Sequence, residues 1–328
     1  MPTSVIGTGR ALPRRLVSNK ELAESLNIRP DDIIRKTGVA SRYWAGPDDT
    51  ASSLAVEASL KALQSAGLSA GAVDLILVTT TTPDMYFPST ACLVQKGLAE
   101  LPGGANNIPA FDINASCSGF IYALSIADQY LKSGEAKTVL VAATDVKSRF
   151  IDAKDLSTAI LFGDGAGAVV LKNGPRGIRK ITLGADGAHH QLVHLPAGGS
   201  ALPMTLETLK TGRHFMSMAG KRLFRVAVRK MATSLSDFLA EAELQTDEID
   251  CFVFHQANRR ILEAVFKRLE IPQSKAALCL EKYGNTSSAT IPVALDAALE
   301  AGKINAGDRV VFTAFGGGVT WGNVLIDW

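Results

Sequence analysis

No stretch of this sequence approaches the ~20 consecutive apolar residues that a membrane-spanning helix needs. The start, Met1-Pro2-Thr3-Ser4-Val5-Ile6-Gly7, shows neither a charged n-region nor a long apolar h-region, so a cytoplasmic location is expected. Neither sign of charge dominates. The 34 Lys and Arg against 32 Asp and Glu leave a net charge of +2, too balanced for a protein whose affinity for nucleic acid comes from neutralising phosphates. Cysteines are few, four in 328 residues, and none forms a C-x-x-C pair, which argues against a disulfide scaffold or a zinc knuckle. His189, His190 and His194 are close in sequence, yet their neighbourhood supplies only Asp186 and no second cluster, the pattern of a polar loop rather than a metal site. Gly163-Asp164-Gly165-Ala166-Gly167 is followed by Val169-Val170-Leu171 and not by Gly-Lys-Ser/Thr, so it reads as tight backbone packing instead of a phosphate loop. No metal and no bound cofactor are expected. The composition, 47% hydrophobic and 20% charged, suits one large core or two fused domains.

The chain is organised around Phe111-Asp112-Ile113-Asn114-Ala115-Ser116-Cys117-Ser118-Gly119-Phe120. An apolar run ending at Ile113 predicts a buried strand, and apolar periodicity from Phe120 to Tyr130 predicts a helix, so Cys117 falls where strand becomes helix. Unpaired backbone N–H groups and the positive end of the helix dipole favour thiolate over thiol there. The small residues Ser118 and Gly119 leave room for a close approach by backbone or ligand. Cys92, Cys251 and Cys279 lie in apolar runs and read as core filler.

An internal repeat sets the fold class. The helix Thr50 to Ala66 leads through Leu68 and Asp74 into Leu75-Ile76-Leu77-Val78; the helix Lys221 to Ala242 leads through Leu244 and Asp250 into Cys251-Phe252-Val253-Phe254. Further on, Ser133-Gly134 precedes Val139 to Ala143 as Ala301-Gly302 precedes Val310 to Ala314, and glycine-rich turns lead each half into a final strand. Two duplicated α/β halves follow, residues 1–174 and 175–328, with mostly parallel sheets covered by helices and ligands at the carboxyl ends of strands. Cys117 would follow a strand in the first half, His255 and Asn285 strands in the second, and a pseudo-two-fold could bring them together.

These motifs, with His255-Gln256-Ala257-Asn258, Tyr283-Gly284-Asn285-Thr286-Ser287 and Phe315-Gly316-Gly317-Gly318-Val319-Thr320-Trp321-Gly322, run in order along the chain. Together they resemble β-ketoacyl-acyl carrier protein synthase III. The resemblance implies a thiolase-like fold of layered αβαβα form, a homodimer, and decarboxylative Claisen condensation of a short acyl primer with malonyl-carrier protein. Its partners would be acyl carrier protein and acyl-coenzyme A or acyl-carrier-protein thioesters. Biosynthetic thiolases carry a second catalytic cysteine where this chain has Gly316-Gly317-Gly318.

Each chemical requirement has a candidate. Cys117 holds the primer as a thioester. Its own N–H, with that of Gly317, would form the oxyanion hole. His255 and Asn285 direct N–H groups at the malonyl thioester oxygen, so no strong base is needed once carbon dioxide leaves. The resemblance places Phe87, Phe162, Met218 and Phe315 around the primer, with Phe87 closing the channel across the dimer interface. Basic residues recur on two helices, a pattern that a solvated face also produces; the resemblance assigns Arg225, Arg260, Lys267 and Arg268 to carrier-protein docking. One departure stands out. The family's adenine-stacking tryptophan and arginine are matched here by Asp32 and Leu156, which points to a carrier-bound primer, or to a changed coenzyme A pose with Trp44 or Lys36 substituting. A papain-like hydrolase shares the order Cys, His, Asn but not this cysteine motif, and a silent partner subunit sits poorly with an intact triad. An acyltransferase passing its group to a hydroxyl or amine is the nearest alternative.

Overall fold

A computed structural model describes residues 1–328. Two sheets carry the architecture. Across the first, the strands run Thr3–Ala11, Gly165–Asn173, Thr138–Asp145, Leu75–Thr79 and Ala110–Ile113; across the second, Cys251–Phe254, Arg309–Gly316, Thr320–Asp327 and Ile178–Ala185. Counted in chain order within each half, the first sheet reads 1-5-4-2-3. The second follows the same order without a third strand, and an isolated parallel bridge from Phe252 to Ala276 marks the place where that strand would pair.

Sequence alternation expects mostly parallel sheets, and the structure corrects this. Only the pairings of Leu75–Thr79 with its two neighbours and of Cys251–Phe254 with Arg309–Gly316 are parallel. The others are antiparallel: the last strand of each half returns alongside the one before it, through the tight turn Gly317 to Val319 in the second half and through a longer segment with the short helix Leu156–Ala159 in the first. Two further readings change. Gly165 and Gly167 belong to a strand rather than to a turn, and the strand before Cys117 is a half-exposed sheet edge rather than a buried run.

Side-chain alternation along the strands builds the layers. Leu75 and Leu77 join Phe120, Ile121, Ile291 and Val293 in the core between the sheets, while Ile76 and Val78 join Leu54, Ala58, Val94 and Leu98 on the outer side. The second sheet has its own outer core, where Phe252 and Val311 meet Met231, Leu235, Phe238 and Val265. The result is αβαβα. Helices Ala51–Ser65 and Thr90–Ala99 cover one outside, Gly220–Glu241 and Arg259–Leu269 the other, and Gly119–Ser133 and Thr290–Glu300 fill the middle. The middle helices begin at the carboxyl ends of the strands, which carries Cys117 into the centre of the molecule. No helix is long and apolar enough to cross a membrane.

Candidate active site

From Ile113 the chain passes through Asn114 and Ala115 into a short 3-10 turn, Ser116–Ser118, continuous with helix Gly119–Ser133. Ser116 holds φ at 54°, in the left-handed region, and donates its N–H to Asn114 Oδ1 at 3.2 Å. The other half fixes the turn. Ser118 Oγ donates to the Thr320 carbonyl at 3.1 Å, and Thr320 Oγ1 donates to the Ala115 carbonyl at 2.7 Å. Gly119 is obligatory because a Cβ there would lie 1.8 Å from Thr79 Oγ1.

Cys117 opens into a cavity of about 760 Å³ that is also lined by His255, Asn285, Phe162, Met218 and Phe315. Burial by itself pushes the thiol up; the neighbouring His255 ring, the Lys147 ammonium and the Ser287 hydroxyl outweigh it and lower the pKa from 9.0 to about 7. Ser287 Oγ lies 3.5 Å from Sγ. The remaining cysteines differ. Burial raises Cys251 to about 11 and Cys279 to about 12, while Cys92, expected in the core, is exposed beside Ser89.

His255 directly follows strand Cys251–Phe254 and is almost fully buried. Its Nδ1 has no hydrogen-bond partner within the chain. Asn285 follows the short helix Leu280–Tyr283, not a strand as expected. Its Oδ1 accepts the Ser287 N–H at 2.8 Å, which fixes the amide, and Nδ2 reaches the Ala257 carbonyl at 3.5 Å with one N–H to spare.

Several expectations are revised. Gly317 lines the cavity, but its N–H donates to Ser116 Oγ at 3.1 Å rather than into the space over the thiol. Phe162, Met218 and Phe315 line the cavity; Phe87 does not, being 86% exposed on an outer loop. Arg260 reaches the cavity mouth beside Lys36 and Lys221, whereas Arg225, Lys267 and Arg268 are exposed on the same two helices away from it. Asp32 is paired with Arg29 at 3.1 Å and Arg35 at 2.7 Å. Leu156 lines the mouth, and Trp44 does not, since its Nε1 donates to the Phe162 carbonyl at 3.1 Å. Sequence reasoning missed Lys147 and Ser287 as neighbours of the thiol. Ser287 ends the Asn285 motif and was open to notice; nothing local marks Lys147.

Comparison with known proteins agrees with this geometry. The family description 3-oxoacyl-[acyl-carrier-protein] synthase III matches residues 111–187, and its C-terminal counterpart matches residues 239–328. The β-ketoacyl-[acyl-carrier-protein] synthase III of Roseiflexus castenholzii is 43% identical over 99% of this chain and 98% of its own length, and the Clostridioides difficile enzyme of that name is 43% identical over the same shares. The crystal structure of 3-oxoacyl-[acyl-carrier-protein] synthase III from Aquifex aeolicus superposes with a TM-score of 0.91 at 40% identity, covering 99% of this chain and 100% of that one. The priming β-ketosynthase of the R1128 polyketide pathway gives 0.90 at 34% identity, covering 99% and 96%. With its thiol, imidazole and amide converging in one cavity of a thiolase-like fold, the chain belongs to the 3-oxoacyl-[acyl-carrier-protein] synthase III family of acyl-condensing enzymes.

Proposed function

We propose that this protein condenses a short acyl primer with malonyl-acyl carrier protein, starting fatty-acid or related chains. The observation that carries the reading is a thiol with a pKa of about 7 in the cavity that also holds His255 and Asn285. The Cys117 thiolate attacks the primer thioester carbonyl, the tetrahedral oxygen is met by backbone N–H, and the carrier or coenzyme A thiolate leaves. Malonyl-carrier protein then enters. Its carboxylate leaves as carbon dioxide, and the electron pair passes to the thioester oxygen, held by N–H from His255 Nε2 and Asn285 Nδ2. The enolate carbon attacks the acyl-Cys117 carbonyl and expels the thiolate, so the 3-oxoacyl product and the resting nucleophile form together.

The primer thioester would enter past Lys36, Lys221 and Arg260, where a phosphopantetheine or nucleotide phosphate finds cations. The same basic helices present Arg225, Lys267 and Arg268 to an acidic carrier protein. Two copies of the chain would cover the apolar loop Met85-Tyr86-Phe87 and the half-exposed edge strand Ala110–Ile113. The deciding experiment supplies acetyl-coenzyme A or acetyl-carrier protein with malonyl-carrier protein and follows carbon dioxide and 3-oxoacyl-carrier protein. Acyl-enzyme that forms but is released only to a hydroxyl or amine would replace condensation with acyl transfer.

A further inference from the structure

Beyond Asn285 the chain buries three consecutive hydroxyls, those of Thr286, Ser287 and Ser288. Burial obliges each to find a partner inside the protein. Two find oxygen. Thr286 Oγ1 donates to Thr290 Oγ1 at 3.3 Å, and Ser288 Oγ donates to Asp145 Oδ2 at 2.7 Å. The hydroxyl of Ser287, a residue with no exposed surface, has a single partner in the chain, the Cys117 sulfur at 3.5 Å.

The turn does not need that hydroxyl. Ser287 holds φ at 56°, in the left-handed region where a glycine would sit more easily. Backbone groups hold the turn in place: the Ser287 N–H donates to Asn285 Oδ1 at 2.8 Å, its carbonyl accepts from Thr290 Oγ1 at 2.9 Å, and the Ser288 N–H donates to Asp145 Oδ2 at 3.0 Å. A side chain carried on a backbone that favours glycine, and used by none of these contacts, has only the sulfur to serve.

The sulfur changes as an acceptor during the reaction. Beside a thiolate the hydroxyl can only donate, and a hydrogen bond to the charged form favours that form. In an acyl-enzyme the sulfur lone pairs are drawn toward the carbonyl and accept weakly, so the Ser287 O–H is left short of its one partner.

We propose that Ser287 is a further catalytic residue: its O–H donates to the Cys117 thiolate, loses that acceptor in the acyl-enzyme, and so favours the step that expels the thiolate. This rests on Cys117 being the nucleophile of the proposed condensation. In that step the enolate carbon bonds to the acyl carbon, the carbon–sulfur bond breaks with its electron pair left on Sγ, and the Ser287 O–H meets that pair. No proton changes hands. His255, and Lys147 paired with Asp145, also influence the thiol, and neither is altered in the variants below. Acids on the elements packed against the Ser287 turn are engaged elsewhere, Asp145 with Thr81 and Ser288, Asp128 with Lys132 and Asp296 with Arg10.

The test compares the parent with Ser287→Gly and Ser287→Ala, following iodoacetamide alkylation of each cysteine against pH by mass spectrometry. Both variants should move the Cys117 midpoint up by about one unit, the scale of one lost hydrogen bond to a charged group, so that labelling below the midpoint slows about tenfold. Exposed Cys92 should keep its profile, and buried Cys251 and Cys279 should stay unlabelled while the chain is folded. Thiolysis of a preformed acyl-enzyme by pantetheine, which expels the same thiolate, should slow several-fold. A parent-like midpoint in folded Ser287→Gly overturns the proposal, and so does a shift confined to Ser287→Ala, which would belong to backbone strain. Where the alanine variant does not fold, the glycine variant, whose backbone suits the turn, decides alone. Alkylation needs no thioester, so a parent that fails to condense would strike the proposed function and leave this result standing.

Discussion

At the scale of single residues, environment separates four chemically identical thiols. Burial dominates at Cys251 and Cys279 and raises them to about 11 and about 12, whereas His255, Lys147 and Ser287 reverse the effect of burial at Cys117. Because only the thiolate is nucleophilic, the alkylation rate of Cys117 should rise about tenfold per pH unit below about 7 and level off above it. His255→Ala removes the largest downward influence, so that plateau should shift to higher pH; a rate that ignores both pH and the substitution would contradict the assignment. Cys117→Ala should form no acyl adduct by intact mass. An adduct on Cys92 in the parent would reassign the nucleophile.

At the scale of elements, the site is made where two turns meet, and the two half-reactions divide between them. On the proposed mechanism Ser116–Ser118 would carry acyl loading, and His255 with the Asn285 turn would carry decarboxylation. His255→Ala or Asn285→Ala should therefore still load primer but lose about 10²-fold or more in malonyl decarboxylation, the scale of one lost oxyanion donor. Loading that collapses while decarboxylation survives would invert the roles. Gly119→Ala tests the packing beneath them. Its Cβ would meet Thr79 Oγ1 at 1.8 Å, so a loss of about 1–3 kcal/mol in denaturant unfolding is expected. The Cys, His and Asn positions were legible because each lies in a short motif next to a turn. Ser287 and Lys147 were not, since they reach Cys117 from 170 and 30 residues along the chain and only the fold makes them neighbours. The antiparallel pairings escaped for another reason: hydrophobic runs report burial, not strand direction.

At the scale of the whole molecule, one chain leaves its most apolar loop without a cover. Tyr86 and Phe87 are 78% and 86% exposed, and Leu206 and Leu209 are exposed on a segment reached by the Tyr86 hydroxyl near Gly198. Sequence reading put Phe87 in the primer channel, and in the single chain it is not there. The two statements agree only if a second copy receives the ring, which is information no isolated chain contains. Light scattering should give twice the 34.7 kDa chain mass, and Phe87→Asp, which would bury a carboxylate in an apolar contact, should drive the protein toward monomers. Phe87→Thr removes bulk without adding charge, so it should keep the dimer and extend the accepted primer by several carbons. If Phe87→Thr dimerises normally yet handles acetyl and decanoyl primers as the parent does, the ring belongs to the interface alone and chain length is set by Phe162, Met218 and Phe315.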